Sequence, residues 1–424
     1  MKVTGVERIV IDVPFTERQK RITRRTVYNW SVLELCRVTS DSSHVGWGET
    51  IVHYTHQRVT DASVNHVIGK SPAALLFDDG LGAGLQMALF DLVGRITETP
   101  VHALLGQQVR EQTPISWWCS HASPQDWAAE AVDAVATGYT SFKTKPRPWW
   151  DVFTQIAAVE RATPAGFKVD LDPNASMINA AAAIPIMQRL EERDIVAMFE
   201  TPIPQTDILG NRQIRQVIQR PIAMHFGSPP YITGLREKVC DGFVINGGAS
   251  RVLRQGSLAA EAEMPFWLQL VGNGLTTTWA AHLGAVLGYA IWPAISCINL
   301  YSHDLLQRPL KVRSGHQLVP VGPGLGVKID ESAVDRFRVP EESLRDGIFT
   351  RSVPRLINSV IYQDGSCIHT ATMGVGLLRA MEGQFWSEGV RVESWEDDGS
   401  EEWDRLYERL QLGPVRDRWQ GGRQ

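Results

Sequence analysis

Two lysines spaced two residues apart, Lys143 and Lys145, are followed along the chain by Asp172, Glu200 and His225, each at the end of a short strand-like run. On a strand, i,i+2 spacing turns both amines to one face. Carboxylates and a neutral imidazole are donors for a divalent ion, and a lysine beside such an ion is a base. That combination suits removal of a proton next to a carboxylate, a reaction that needs a base and a positive charge to stabilise the enolate. A free lysine, with a pKa of about 10.4, is mostly protonated at neutral pH. Lys145 therefore requires Lys143 or a metal close by to lower its pKa. Asp170 has the same parity as Asp172 and competes with it for the role of oxygen donor.

The elements that must hold these groups are legible after Pro114, where apolar runs alternate with amphipathic stretches. Strands are expected at 115–119, 140–145, 167–171, 196–200, 222–226, 242–245, 266–270 and 296–300, with helices at 124–137, 152–163, 180–192, 211–219 and 250–263. Eight strands with crossover helices is the count of a closed β/α barrel, whose active site lies at the C-terminal strand ends. Before it, residues 1–60 read as β-rich, with Gly46-Trp47-Gly48-Glu49 as a turn, and 85–95 reads as a helix. The expected division is an α+β unit at 1–113, a barrel at 114–335 and a C-terminal extension at 336–424. The acidic cluster from Glu393 to Asp404 is expected on a solvated surface, ending in a frayed tail. Trp386, Trp395 and Trp403 argue that part of the extension packs on the body.

The bulk numbers narrow the partners. The chain has 424 residues, 43% apolar and 21% charged, with 42 basic against 47 acidic residues and a net charge of −5. Such a balance exerts no broad pull on nucleic acid or an anionic membrane and favours a small-molecule partner. Five scattered cysteines without a CxxC pair are expected as reduced thiols in a cytoplasm. Glu7, Arg8 and Asp12 interrupt the first apolar run, so no secretory core is expected there. Residues 264–303 lack Asp, Glu, Lys and Arg, but interspersed Gln, Asn, Thr, Pro and Gly mark a buried strand–helix–strand rather than a membrane span.

In order and spacing, several motifs resemble the enolase superfamily, in its mandelate racemase/muconate lactonizing branch. They are Gly46-Trp47-Gly48-Glu49-Thr50, Ala88-Leu89-Phe90-Asp91-Leu92 with Pro100 to Gly106, Lys143-Thr-Lys145, Asp172-Pro173-Asn174, Glu200-Thr201-Pro202, and Pro320 to Val327. The resemblance implies an α/β fold, a (β/α)7β TIM-like barrel with an N-terminal α+β capping domain. It implies Lys145 as base, Lys143 as its electrostatic partner, and Asp172, Glu200 and His225 around a divalent metal, Mg2+ foremost. Where most relatives carry Asp or Glu on the fifth strand this chain has His225, which shifts metal preference toward Mn2+, Fe2+ or Zn2+, or makes the residue an acid/base group. The sixth and seventh strands end in Asn246 and Gln269, where relatives place a second lysine or a histidine. Without an evident second base, elimination is favoured over 1,1-proton transfer. Asn174, Trp149, Asn246 and Gln269 are expected to line the substrate.

Arg18, Lys20, Arg21, Arg24 and Arg25 fall where the family has a mobile specificity loop, as holders of a distal anionic group or as solvated charge. The implied function is a dehydratase of a small hydroxy-carboxylate such as an acid sugar, in a symmetric homo-oligomer. The alternatives are a cycloisomerase or epimerase, or a non-catalytic barrel with a binding role.

Overall fold

The computed structural model describes residues 1–54 and 58–419. An antiparallel sheet opens the chain: β1 (Val3–Asp12), β2 (Val32–Ser40) and β3 (Val45–Ile51), with helix α1 (Glu17–Thr23) between the first two. The Gly46-Trp47-Gly48-Glu49 stretch, expected as a turn, is the body of β3 and pairs in register with β2. Its glycines serve close packing. A Cβ at Gly46 would stand 2.1 Å from Ala88 O, and one at Gly48 2.0 Å from Gly84 O, both on helix α2 (Ala83–Ile96). Asp91 on α2 accepts from Trp47 N at 2.9 Å and from Leu325 N at 2.8 Å. One buried carboxylate thus ties the cap sheet to the segment that follows the barrel.

Seven parallel strands follow in chain order: β4 (Trp117–Cys119), β5 (Ser141–Thr144), β6 (Lys168–Leu171), β7 (Val196–Glu200), β8 (Ile222–His225), β9 (Gly242–Ile245) and β10 (Phe266–Leu268). Each leads into a helix: α3 (Pro124–Ala136), α4 (Val152–Ala162), α5 (Ala180–Glu191), α6 (Ile208–Val217), α7 (Tyr231–Glu237), α8 (Ala249–Glu261) and α9 (Gly274–Val286). Phe142 on β5 turns outward, its ring 6.3 Å from Trp127 of α3. Strand alternation therefore turns Lys143 into the barrel.

The eighth strand is displaced from its expected position at 296–300. Closure is made two residues earlier, where Ala294 bridges Ile115 and Ile295 bridges Gln269, both in parallel. Cys297, in the left-handed region at φ 62°, ends the extended run, and Ile298–Leu300 coils into a single 3-10 turn. The charge-free stretch 264–303 is the buried β10–α9 unit, and no described helix is long and apolar enough to cross a membrane. All five cysteines are buried and free.

Beyond the barrel the chain builds a four-stranded antiparallel sheet from β11 (Leu356–Ile361), β12 (Ser366–Thr370), β13 (Arg391–Glu396) and β14 (Val415–Arg418), in the order β13-β11-β12-β14. Helix α10 (Glu401–Leu410) covers it, with Trp403 packed on Ile357 and Leu410. The acidic cluster has a structural use: Glu401, Glu402 and Asp404 occupy the first turn of α10, where the helix dipole favours negative charge. Residues 420–424, expected as a frayed end, lie outside the described residues.

This sheet docks beside the barrel mouth. Trp149 and Trp150 pack against Val360, Ile368 and Leu377, while Asp151 N donates to Val390 O at 3.1 Å and Gly389 N to Asp151 Oδ2 at 2.8 Å. It also reaches the cap, where Arg25 Nε donates to Ser394 Oγ at 2.9 Å and Arg24 pairs with Glu396.

Candidate active site

Strand parity and register bring the predicted groups together. Lys143 on β5 is level with Asp170 on β6, and Glu200 on β7 with Ala223 on β8. Asp172, just past β6, and His225, which ends β8, complete one layer at the mouth. Lys143 Nζ contacts Glu200, stands 3.6 Å from Asp172 Oδ2 and donates to Gln269 Oε1 at 2.7 Å. It also lies 4.9 Å from the Trp267 ring centroid. Lys145 pairs with Asp172. His225 Nε2 stands 3.1 Å from Glu200 Oε1.

The two lysines are electrostatically unlike. Burial works against the charge on Lys143, yet Glu200 and Asp172 outweigh it and hold its pKa above the ordinary lysine range. Burial also works against the charge on Lys145, and there it prevails: with Lys143 adding like-charge repulsion against the pull of Asp172, the pKa falls below that range. The surroundings thus push the two amines in opposite directions, and Lys145, with 15% of its side chain exposed against 1% for Lys143, is the more accessible at the mouth. Glu200 is held well below the carboxylate range: burial opposes its charge, but Lys143 and His225 overcome it. Asp170, deeper in the barrel, goes the other way: burial, offset in part by Lys143, pushes it up to about 7.

Asn174 positions Asp172. Its backbone N and Nδ2 both donate to Asp172 Oδ1 at 2.9 Å, and Arg147 holds Asn174 Oδ1 at 2.6 Å. Gln269 lies against Lys143 as a lining residue would. Asn246 follows β9 with no hydrogen-bond partner for its amide among the described residues. Trp149 is buried beneath the C-terminal sheet and sits edge-on to His121, with ring centroids 5.7 Å apart.

Two further groups join the site. Tyr54, from the loop after β3, accepts from Gln269 Nε2 at 3.4 Å. No periodicity or spacing singles out a loop tyrosine from the cap. Trp267, by contrast, shares the parity of Gln269 on the same run, and strand alternation alone places it on the inner face.

Two carboxylates and an imidazole have the donor chemistry of a divalent-ion site. Glu200 fits it best, because both its oxygens are buried with no well-formed hydrogen bond, only ionic neighbours. Asp172 is the more committed, to Asn174 and the lysines. His225 turns its Nε2 to Glu200, and among the described residues no three His, Cys, Asp or Glu side chains already surround one point.

Residues 126–333 match the family described as enolase C-terminal domain-like. The chain is 26% identical to D-gluconate dehydratase of Thermoproteus tenax over 295 residues, which is 62% of this chain and 57% of that protein. It is 25% identical to muconate cycloisomerase 1-2 of Acinetobacter lwoffii over 373 residues, 80% of this chain and 96% of that one. A mandelate racemase/muconate lactonizing family protein from Azoarcus sp. EbN1 superposes with a TM-score of 0.66 at 24% identity, covering 80% of this chain and 98% of its own. The C-terminal sheet lies beyond the family match.

Proposed function

We infer that this chain, an enolase-superfamily protein of the mandelate racemase/muconate lactonizing type, is a dehydratase of a small hydroxy-carboxylate such as an acid sugar. The observation that carries the reading is geometric: Lys143 and Lys145 meet Asp172 and Glu200 at the barrel mouth, with His225 on the other oxygen of Glu200. Lys145 takes the proton from the carbon next to the substrate carboxylate, and the electron pair left behind spreads into that carboxylate. The carbon–oxygen bond at the next carbon then breaks, and the departing hydroxide takes a proton from His225 to leave as water. The products are an enol acid and water, with the abstracted proton on Lys145.

His225 is suited to the acid role by position: Glu200 partners its Nε2, which leaves Nδ1 without a hydrogen-bond partner among the described residues. Superfamily members typically use a divalent metal; here Asp172 and Glu200 would hold it, with Mg2+ the natural choice for oxygen donors. When bound, such an ion supplies positive charge to the substrate carboxylate. On the far side of the barrel, Asn246 and Gln269 offer no second base, which weighs against an epimerase.

The test uses α-deuterated acid sugars. Loss of deuterium together with water release, abolished by Lys145→Ala, is expected. Deuterium exchange without loss of water makes the protein an epimerase. Exchange that survives Lys145→Ala removes the base assignment.

A further inference from the structure

The loop that follows Lys145 is held from two sides. Strand pairing ends at Thr144, so Lys145 lies just past the ladder. On the barrel side, Arg147 donates to Asp172 O at 3.2 Å and to Asn174 Oδ1 at 2.6 Å. On the other side stands segment 386–390, which leads into β13 and lies beyond the family match. Trp386 N donates to Pro148 O at 2.9 Å, Gly389 N to Asp151 Oδ2 at 2.8 Å, and Asp151 N to Val390 O at 3.1 Å.

Asp151 divides its two oxygens between two tasks. Oδ1 caps α4, accepting from Phe153 N at 3.0 Å and Thr154 N at 3.1 Å. Capping needs a single acceptor, which Asn, Ser or Thr supplies as well. Oδ2 receives Thr154 Oγ1 at 2.6 Å and the Gly389 amide. Asp151 is buried, and no cation pairs with it among the described residues, so a second acceptor is what the carboxylate adds.

The loop between is built to transmit a displacement rather than absorb it. Pro146 and Pro148 fix their own φ and confine Lys145 and Arg147, which precede them, toward extended backbone. Trp150 N closes a turn onto Arg147 O at 3.0 Å, and Trp149 and Trp150 pack on Val360, Ile368 and Leu377. Few free torsions remain between Asp151 and the amine.

We propose that Asp151 is a positioning residue for Lys145: by receiving the Gly389 amide it ties the loop that carries the base to the segment leading into the C-terminal sheet. This deepens the functional reading above and rests on its assignment of Lys145.

The test uses the intact protein and Asp151→Asn. An amide has one acceptor oxygen, and the two backbone amides and the dipole at the start of α4 claim it, so the cap survives and the Gly389 contact is lost. The probe is trace acetylation by acetic anhydride, with Lys145 quantified by mass spectrometry against the exposed Lys311. In Asp151→Asn, Lys145 should label about threefold or more faster than in the unaltered protein, because a loosened loop opens the amine. Ser400→Ala removes the cap of α10, where Ser400 Oγ accepts from Trp403 N at 3.1 Å, and so weakens the same C-terminal module away from the loop. It should leave Lys145 labelling unchanged. A rate that does not rise in Asp151→Asn, or that rises equally in both variants, would overturn the proposal.

Turnover of acid sugars gives a second readout. Asp151→Asn should lower kcat about tenfold and leave KM within about twofold, since the base is displaced and the binding groups are not. A change confined to KM would count against the positioning role. If the unaltered protein turns over no acid sugar, the dehydratase reading fails, while the labelling still decides the positioning. Should thermal unfolding show that Asp151→Asn does not fold, Gly389→Ala loosens the contact from its other end. Its Cβ would stand 2.3 Å from Gln363 Nε2, and its φ of 68° disfavours alanine. The same acceleration is expected there, and an unchanged rate would overturn the proposal.

Discussion

Lys143 Nζ donates to Gln269 Oε1 across 2.7 Å, joining the second barrel strand to the seventh through the interior. The same ammonium stands between Glu200 and Asp172, so it is a structural counter-charge as well as a chemical one. Removing it leaves buried Glu200 without its nearest cation and Asp172 with Lys145 alone.

Lys143→Met is therefore expected to lower the unfolding free energy by about 3 kcal/mol, read from urea denaturation. It should also move the rising, acidic limb of the pH–rate profile to higher pH. Lys143 is one of the charges that lower the Lys145 pKa, and without it Lys145 holds its proton to higher pH. Unchanged stability together with an unshifted limb would contradict the coupling of the two amines.

Divalent ion binding should raise the melting temperature saturably, since a ligand at 100 times its Kd adds about 2.7 kcal/mol of stability. Glu200→Gln and Asp172→Asn should abolish the effect, whereas His225→Gln should preserve it and lose turnover. If His225→Gln also abolishes it, the imidazole is a ligand and the leaving hydroxide is protonated by another group.

His282, at the buried face of α9, accepts from His102 N at 3.2 Å and lies 3.1 Å from Leu325 O through Nε2. Burial drives its pKa to about 4, with Leu325 O opposing and His102 assisting. Its folded-state pKa is depressed, so the unfolded chain takes up a proton that the folded chain refuses as pH falls from about 6.5 to 4. The stability present above that window should drain away through it, by about 2 kcal/mol between pH 6.5 and 5. Denaturation at the two pH values checks this, and His282→Gln should flatten the slope.

Gly48→Ala should destabilise the cap by about 2 kcal/mol, because its Cβ would meet Gly84 O at 2.0 Å and strand and helix would have to separate. Chemical denaturation of the variant measures it.

Much of the site was readable because it lies on parallel strands, where parity and register do the positioning. Lys143, Asp172 and Glu200 meet for that reason. His225 was located for the same reason, but its pairing with Glu200 depends on side-chain rotation, which spacing does not encode. The glycines of β3 were misread because a turn and a strand pressed against a helix both call for a missing Cβ. The eighth strand was misplaced because 294–300 is apolar throughout, and only the backbone reversal at Cys297 shows where pairing stops. The C-terminal sheet was hidden by its acidic surface, whose charges serve a helix start that local composition does not reveal. Tyr54 reaches the site from a cap loop by long-range folding alone.

Trp149 and Trp150 stand four and five positions after Lys145, and both are roofed by the C-terminal sheet. A protein shortened after Pro340 would uncover two indoles at the rim of the reaction chamber. Aggregation and loss of turnover are then expected together in the shortened protein, the appended module acting as a wall of the chamber.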